Sequence, residues 1–290
     1  MKKSFLFPLA CIFFLLGGNA LAAENGLRYF TQPHEAQISA TPYGDNREAG
    51  HYVQSGDARI YYEIYGKGDP IFIFHGGGVG SPFELGRLID KLRDKYKVVV
   101  ISSRGHGHSE IGHSPISLQQ KSTDMLAVMR EITSKSSPVL GFSDGAYTAY
   151  ELAATHPEAV EKLVAIGAGT LKPGFFPNSM PLADLEKADP AYVAQMRTLM
   201  PEPERLQEFL NEYMEFWNKA EIGKDLFQKV KCPVLFIGGD KDTHAPPATV
   251  LEADKMISDS HLCIVPNAGH ATFLDNFPVT WTAIEQFLMQ

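Results

Sequence analysis

Short apolar runs alternate with segments of helical spacing from about residue 71 to the end of the chain. Runs of strand length occur at 71–74, 98–101, 137–142, 160–167, 234–237 and 262–265. Segments typical of helices occupy 82–96, 118–132, 146–156, 247–257 and the final residues up to 288. Strands that alternate with helices require a mostly parallel sheet with helices on both faces. The pattern therefore predicts an α/β fold built on a twisted sheet.

Three stretches depart from this alternation. Residues 51–55 and 59–65 flank a Gly-Asp pair and predict an antiparallel hairpin at the start of a domain that spans 51–290. Residues 23–50 are polar, contain proline and glycine, and predict an extended N-terminal arm that lies on the domain. The interval from about 170 to 225 is helical in composition and rich in large apolar side chains. It is too long for a simple connection and predicts an inserted helical cap, with a few of those side chains lining an apolar pocket.

The first 22 residues have the pattern of a secretory signal peptide. Lys2 and Lys3 precede an apolar stretch at 5–18, and Ala-Leu-Ala at 20–22 is typical of a cleavage site. Cys11 suggests a lipoprotein site as an alternative, but the apolar stretch continues past it. The sequence predicts a mature chain that begins at Ala23 and is periplasmic or secreted.

Charge narrows the range of partners. The formal net charge is −8, and it becomes −10 without Lys2 and Lys3. An acidic chain with no basic run argues against nucleic acid or an anionic membrane surface as a partner. After the signal segment, no stretch is long and apolar enough for stable membrane insertion. These features favour a small-molecule substrate.

A G-x-S-x-G motif at 141–145 lies between the apolar run at 137–142 and the Ala-rich helix at 146–156. This context predicts a sharp strand-to-helix turn that lifts the hydroxyl of Ser143 above the edge of the sheet. Gly141 and Gly145 would be needed because the turn leaves no room for side chains. Ser143 is therefore predicted to be a nucleophile, and a structural loop serine is the alternative.

A serine nucleophile needs a base and an acid from loops at the same edge of the sheet. His270 follows the last strand and is the predicted base, with His244 as the reserve candidate. The loop after the strand at 234–237 offers two carboxylates, Asp240 and Asp242. We expect Asp242 to be the acid because it lies further round the loop, and Asp240 to stabilise the loop by accepting backbone hydrogen bonds.

Two backbone amides are the predicted donors to the oxyanion. One is the N–H of Asp144, which directly follows the nucleophile. The other comes from the His-Gly-Gly-Gly loop at 75–78, where Gly77 is the preferred donor and Gly76 also contacts the substrate. A tight turn without this function is the alternative for the glycines.

A metal or a cofactor is not expected. His106, His108 and His113 lie close in the sequence, but no cysteine or carboxylate cluster accompanies them, and the glycines between them indicate a folded loop. No nucleotide-binding motif is present either.

These motifs, in this order, resemble the successive blocks of the α/β-hydrolase fold superfamily. The blocks are 75–78, 104–109, 141–145, 239–242 and 267–270, and the resemblance runs from about residue 51 to the C-terminus. Ser-Asp-Gly at 143–145 and Gly-Asp-Lys-Asp at 239–242 are most similar to the valacyclovir hydrolase-like branch. In that branch the aspartate after the nucleophile binds the substrate α-ammonium, so the resemblance makes Asp144 a candidate for amine recognition. The alternative is that Asp144 only holds the turn by local hydrogen bonds.

The sequence therefore predicts an exported serine hydrolase, of the carboxylesterase type, that acts through an acyl-enzyme on Ser143 without a cofactor. Its substrate would be a small ester or amide. An aminopeptidase of the proline iminopeptidase type and a carbon–carbon bond hydrolase are the alternatives within the fold, and a non-catalytic binding protein is a further one. The oligomeric state stays open.

Overall fold

The computed structural model describes residues 26–33, 36 and 38–289. The predicted signal peptide lies outside the described residues. Within these residues, eight strands form one sheet: β1 Gly50–Ser55, β2 Ala58–Gly66, β3 Pro70–Phe74, β4 Lys97–Ile101, β5 Ser137–Phe142, β6 Val160–Ile166, β7 Val234–Gly239 and β8 Ser260–Val265.

Helices connect most of the strands. They are α1 Gly86–Leu92, α2 Leu118–Ile132, α3 Asp144–Thr155, α4 Leu182–Ala188, α5 Pro190–Leu199, α6 Leu206–Lys219, α7 Lys224–Phe227, α8 Pro247–Asp254, α9 Thr272–Asp275 and α10 Phe277–Leu288. Short 3-10 helices at Pro82–Leu85 and Pro203–Arg205 precede α1 and α6.

The strands are ordered β1-β2-β4-β3-β5-β6-β7-β8 across the sheet. β2 pairs antiparallel with β1 and with β4, and all pairs from β4 to β8 are parallel. The carboxyl ends of β3, β5, β6, β7 and β8 therefore meet at one edge, which is where loops carry function in open parallel sheets. The predicted α/β fold with a mostly parallel sheet is confirmed.

Successive side chains of β3 show how the sheet is buried on both faces. Phe72 and Phe74 point into a core shared with α2 and α3, whereas Ile71 and Ile73 point into a core shared with α1 and α10. All four side chains are almost fully buried. A continuous apolar run is what a strand covered on both faces requires.

One predicted helix is wrong in its bounds. The segment 82–96 was expected to form a single helix, but it begins with a 3-10 turn and α1 ends at Leu92. The next residues turn tightly against the end of β2. A β-carbon at Gly66 would lie 2.3 Å from the carbonyl oxygens of Arg93 and Tyr96. The chain therefore leaves the helical path where it packs against Gly66 and enters β4.

Helices α4 to α7 lie between β6 and β7, within or next to the interval that the sequence assigns to a cap.

The arm is attached to the sheet through Glu63 of β2, a fully buried carboxylate. Glu63 accepts hydrogen bonds from the amides of Gly44 and Asn46 at 2.8 and 2.7 Å. Among the described residues, no helix combines the length and the apolar character that a membrane span needs.

Candidate active site

Ser143 lies in a sharp turn between β5 and α3. Its backbone has a φ of 52° and a ψ of −118°, which is a strained conformation for a residue other than glycine. The turn is tightly packed: a β-carbon at Gly145 would lie 2.3 Å from the carbonyl oxygen of Phe74, and one at Gly141 would lie 2.6 Å from the Cα of Ala146. Close packing therefore requires both glycines of the G-x-S-x-G motif.

The Ser143 hydroxyl belongs to a hydrogen-bonded chain of three side chains. Nε2 of His270 is 2.9 Å from Oγ of Ser143, and Nδ1 of His270 is 2.8 Å from Oδ2 of Asp242. Ser143, Asp242 and His270 follow β5, β7 and β8, so they meet at the carboxyl edge of the sheet. These are the three residues that the sequence patterns indicate as nucleophile, acid and base.

Hydrogen bonds hold Asp242 in its charged form. Burial alone would raise the pKa of Asp242, but the hydrogen bond from His270 and those from the amides of Ala245 and His244 outweigh burial and lower that pKa. An ionised Asp242 accepts a hydrogen bond from the Nδ1–H of His270. Nε2 is then free to accept the proton of the Ser143 hydroxyl.

Asp240 and His244, the alternative acid and base, lie outside the hydrogen-bonded chain of Ser143, His270 and Asp242. Asp240 is exposed, and its carboxylate accepts a hydrogen bond from the Ala268 amide at 3.1 Å in the loop that leads to His270. His244 lies beside His270, with 4.8 Å between their ring centroids. Burial and the neighbouring His270 lower the pKa of His244.

A metal ion could in principle be held here, because ligand atoms of Asp242, His244 and His270 lie within 4.8 Å of one another. However, both oxygens of Asp242 and both ring nitrogens of His270 take part in the hydrogen bonds described above. A metal would have to replace these hydrogen bonds, and the arrangement favours proton transfer instead.

Of the histidines in the 104–113 region, His108 pairs with Asp45 at 2.7 Å and His106 is buried.

The glycine loop after β3 lies next to Ser143. A β-carbon at Gly77 would lie 1.9 Å from Oη of Tyr213 and 2.1 Å from Oδ2 of Asp144, so this position admits only glycine. In the described part of the chain, the amides of Gly77 and Asp144 donate no hydrogen bond to another protein group. Both amides are therefore available to an oxyanion, and the N-terminus of α3 adds favourable polarity there.

Gly76 also lines the cavity that opens above Ser143, but its amide, unlike that of Gly77, is hydrogen-bonded within the protein. Its amide donates to Oε1 of Glu84 at 3.3 Å, and its carbonyl oxygen is 2.5 Å from Nδ1 of His75. Burial lowers the pKa of His75 well below its usual value, so the ring is neutral and its Nε2 accepts the amide proton of Ser103 at 3.0 Å. These contacts fix the shape of the loop that presents Gly77.

The carboxylate of Asp144 is enclosed by protein groups. It forms an ion pair with the ammonium of Lys121 on α2, and Oη of Tyr213 donates to it at 3.0 Å. The side chains of Lys121 and Asp144 are only 6% and 4% exposed. Burial, followed by the nearby Asp144, raises the pKa of Tyr213 well above its usual value, so the phenol stays protonated.

A cavity of about 440 Å³ opens above Ser143 and His270. Most of its wall is apolar, and cap side chains such as Met180 and Trp217 contribute to it. Glu84 is a polar exception, and burial raises the pKa of Glu84 to about 8. The cavity is large enough for a small organic substrate.

Sequence reasoning missed Lys121, Glu84 and the cavity-lining residues of the arm. Lys121 left a visible signal, because it lies on the apolar face of α2 at helical spacing from Met125 and Val128, and a lysine at such a position needs a buried partner. Glu84 left no comparable signal, since it sits in a short 3-10 helix.

Comparison with known proteins agrees with this architecture. A family model described as the alpha/beta hydrolase fold matches residues 69–207. The AB hydrolase superfamily protein YisY of Bacillus subtilis (strain 168) is 26% identical over 265 residues, which cover 82% of this chain and 98% of that protein. Serine hydrolase BPHL of Homo sapiens, from the valacyclovir hydrolase branch, is 25% identical over 246 residues, which cover 76% of this chain and 80% of that protein.

A solved structure shows the same fold. The enol-lactonase from Burkholderia xenovorans LB400 superposes with a TM-score of 0.68 at 20% identity, covering 83% of this chain and all of that one (100%). At this identity, the likeness concerns the arrangement of strands and helices rather than the substrate.

Proposed function

This chain belongs to the α/β-hydrolase superfamily and is a hydrolase, and we propose that it hydrolyses carboxylic esters through an acyl-enzyme on Ser143. The observation that carries this proposal is the hydrogen-bonded chain from Ser143 through His270 to Asp242 at the floor of the cavity. A hydroxyl, an imidazole and a buried carboxylate in this order make a serine reactive toward a carbonyl carbon.

In the first half of the reaction, Oγ of Ser143 attacks the ester carbonyl while Nε2 of His270 takes the hydroxyl proton. The carboxylate of Asp242 stabilises the imidazolium that forms, and its fixed hydrogen bonds keep the ring in position. The imidazolium then gives the proton to the departing alcohol, which leaves an acyl group on Ser143.

In the second half, water attacks the acyl carbon and His270 acts as base again, which releases the acid and restores the hydroxyl. Negative charge develops on the carbonyl oxygen in both halves. The amides of Gly77 and Asp144 would donate to that oxygen, and each such donor contributes roughly 3 kcal/mol in related sites.

The surroundings of Asp144 favour a neutral acyl group over an α-aminoacyl group. The Asp144 carboxylate already has Lys121 and Tyr213 as partners, and a substrate ammonium would have to displace the buried Lys121 ammonium. Recognition of an amine by Asp144 is thus the less favoured proposal, and with it aminopeptidase activity.

A substrate panel tests the proposal. Purified mature protein is offered p-nitrophenyl esters, aminoacyl p-nitroanilides and a vinylogous 1,5-diketone, which is a substrate type for carbon–carbon hydrolases. The proposal predicts turnover of the esters, and loss of that turnover in Ser143→Ala. Turnover of the anilides without turnover of the esters would instead indicate an aminopeptidase. Turnover of the diketone alone would indicate a carbon–carbon bond hydrolase.

We further propose that the protein is exported and cleaved after Ala22, on the basis of the N-terminal pattern. The N-terminal residue of protein recovered from the periplasm or the medium should be Ala23. A lipid on Cys11 or an uncleaved N-terminus would contradict this proposal.

A further inference from the structure

The N-terminal arm forms part of the wall of the cavity that contains Ser143. Tyr29, Phe30 and Thr31 line this cavity together with residues of the glycine loop after β3 and of the cap. Tyr29 and Phe30 are partly buried, and Thr31 is exposed at the rim. A segment that precedes the whole α/β domain in the sequence therefore reaches its substrate cavity.

A buried carboxylate holds the arm in this position. Asp189, at the start of α5 in the cap, is 4% exposed. Its Oδ2 accepts hydrogen bonds from the Thr31 amide at 2.8 Å and from the Arg28 guanidinium at 2.9 Å. Thr31 has a φ of 58°, a conformation that a β-branched residue adopts only when its surroundings enforce it.

Further contacts join the arm, the cap and the glycine loop after β3. The backbone of Arg28 exchanges two hydrogen bonds with the side chain of Gln195 in α5, at 3.0 and 2.8 Å. The ring of Phe30 packs edge-on against Tyr192, with 5.7 Å between the ring centroids. The hydroxyl of Tyr192 donates to the carbonyl oxygen of Val79 at 2.7 Å, two residues after Gly77.

We infer that Tyr29 and Phe30 are specificity-determining residues that contact the apolar chain of the substrate, and that Asp189 is the positioning residue that holds them there. The inference rests on the proposed ester hydrolysis. Two aromatic side chains at the cavity wall add apolar surface beyond the reacting carbonyl, and burial of each further methylene group on such a surface is favourable. The arm therefore favours esters with a chain long enough to reach it.

Two series of esters test this inference on the full mature chain. One series extends the acyl group from acetyl to octanoyl, and the other extends the alcohol over the same range. In Phe30→Ala, the ratio of kcat/KM for the longest to the shortest ester should fall at least fivefold in one of the series. An unchanged ratio in both series would overturn the inference.

Asp189→Asn tests the positioning role, because asparagine can still cap α5 but cannot pair with the charge of Arg28. It should lower the same ratio and speed hydrogen exchange of the amides at 28–31. The matched control is Asp184→Asn, which changes an exposed aspartate of α4 and should leave the ratio and the exchange rates unchanged. Faster exchange with an unchanged ratio would make Asp189 merely structural.

Binding of octan-1-ol, measured by calorimetry, does not depend on catalysis. If the wild-type chain cleaves no ester, the proposed function is wrong. The binding of octan-1-ol then still tests whether the arm forms part of the cavity wall. If the arm forms part of the cavity wall, octan-1-ol should bind at least fivefold more weakly to a folded Phe30→Ala variant. Equal binding to the wild-type protein and the variant would contradict the inference.

Discussion

The ammonium group of Lys121 lies against the carboxylate of Asp144, the residue that directly follows Ser143. Because of this ion pair, the side chain and the backbone N–H of Asp144 have different surroundings. Its backbone N–H donates no hydrogen bond within the described part of the chain, whereas its side chain is held by Lys121 of α2 and by Tyr213 of α6. The ion pair thereby joins the turn at Ser143 to α2.

The first prediction separates a structural Asp144 from an amine-binding one. Asp144→Asn is compared on matched α-amino and desamino esters of equal size. Since the carboxylate is already paired with Lys121, we expect kcat/KM to fall by the same factor on both esters. A loss confined to the amino ester, of about 1–3 kcal/mol in transition-state binding, would instead identify Asp144 as the ammonium site.

The second prediction concerns stability. Lys121→Met leaves the Asp144 carboxylate buried without its cation, which should lower the free energy of unfolding by about 3–5 kcal/mol. The double variant Lys121→Met/Asp144→Asn removes the unpaired charge and should recover most of that loss. Urea denaturation measures both, with Lys135→Met, at an exposed lysine, as the control. A double variant no more stable than Lys121→Met would show that the pair is not coupled.

The third prediction distinguishes the two carboxylates after β7. Asp242→Asn should lower kcat by roughly 10³–10⁴-fold, because an amide favours the wrong tautomer of His270. Asp240→Asn should lower it less than tenfold, since Asp240 accepts a hydrogen bond from the Ala268 amide in the loop rather than from His270. Steady-state kinetics of both variants on one ester that the wild-type protein cleaves well gives the two values of kcat. A larger loss in Asp240→Asn than in Asp242→Asn would identify Asp240 as the acid.

These residues show what the sequence could reveal. Ser143, Asp242 and His270 each follow a recognisable apolar strand, and in a parallel sheet the ends of such strands meet at one edge. Their proximity therefore follows from local patterns alone. The wrong bounds of the helix at 82–96 arose because the contact with Gly66 is tertiary and leaves no local pattern.

For a related reason, the sequence did not predict that the arm reaches the cavity or that Lys121 pairs with Asp144. Thr31 is held by Asp189, which is 158 positions away, and residues 23–50 show no periodicity that would place them. Lys121 interrupts an apolar helix face, which indicates a buried partner but does not identify it. Choosing Asp144 as that partner requires knowledge of how α2 packs on α3.

The fourth prediction follows from the raised pKa of Glu84. Burial raises that pKa from 4.5 to about 8, so between these values the folded chain keeps a proton that the unfolded chain releases. The contribution of Glu84 to the free energy of unfolding should therefore be largest below pH 4.5 and decline as the pH rises toward 8. Tyr29 and Tyr192, which lie near this carboxyl, stay protonated across the range because burial raises the pKa of each.

The variant Glu84→Gln isolates this effect, because glutamine does not titrate. Urea denaturation of both proteins at several pH values gives the difference in their unfolding free energies. Relative to the variant, the wild-type protein should lose stability steadily from pH 4.5 to 8. Two curves that stay parallel over that range would show that Glu84 has no raised pKa.

Labelling with a fluorophosphonate probe tests whether Ser143, activated by His270, is the nucleophile. The probe phosphonylates an activated serine, and peptide mass spectrometry identifies the modified residue. If Ser143 is the nucleophile, we expect a single adduct on Ser143, no adduct in Ser143→Ala, and labelling slowed by orders of magnitude in His270→Ala. An adduct on another residue, or labelling that persists in Ser143→Ala, would contradict it.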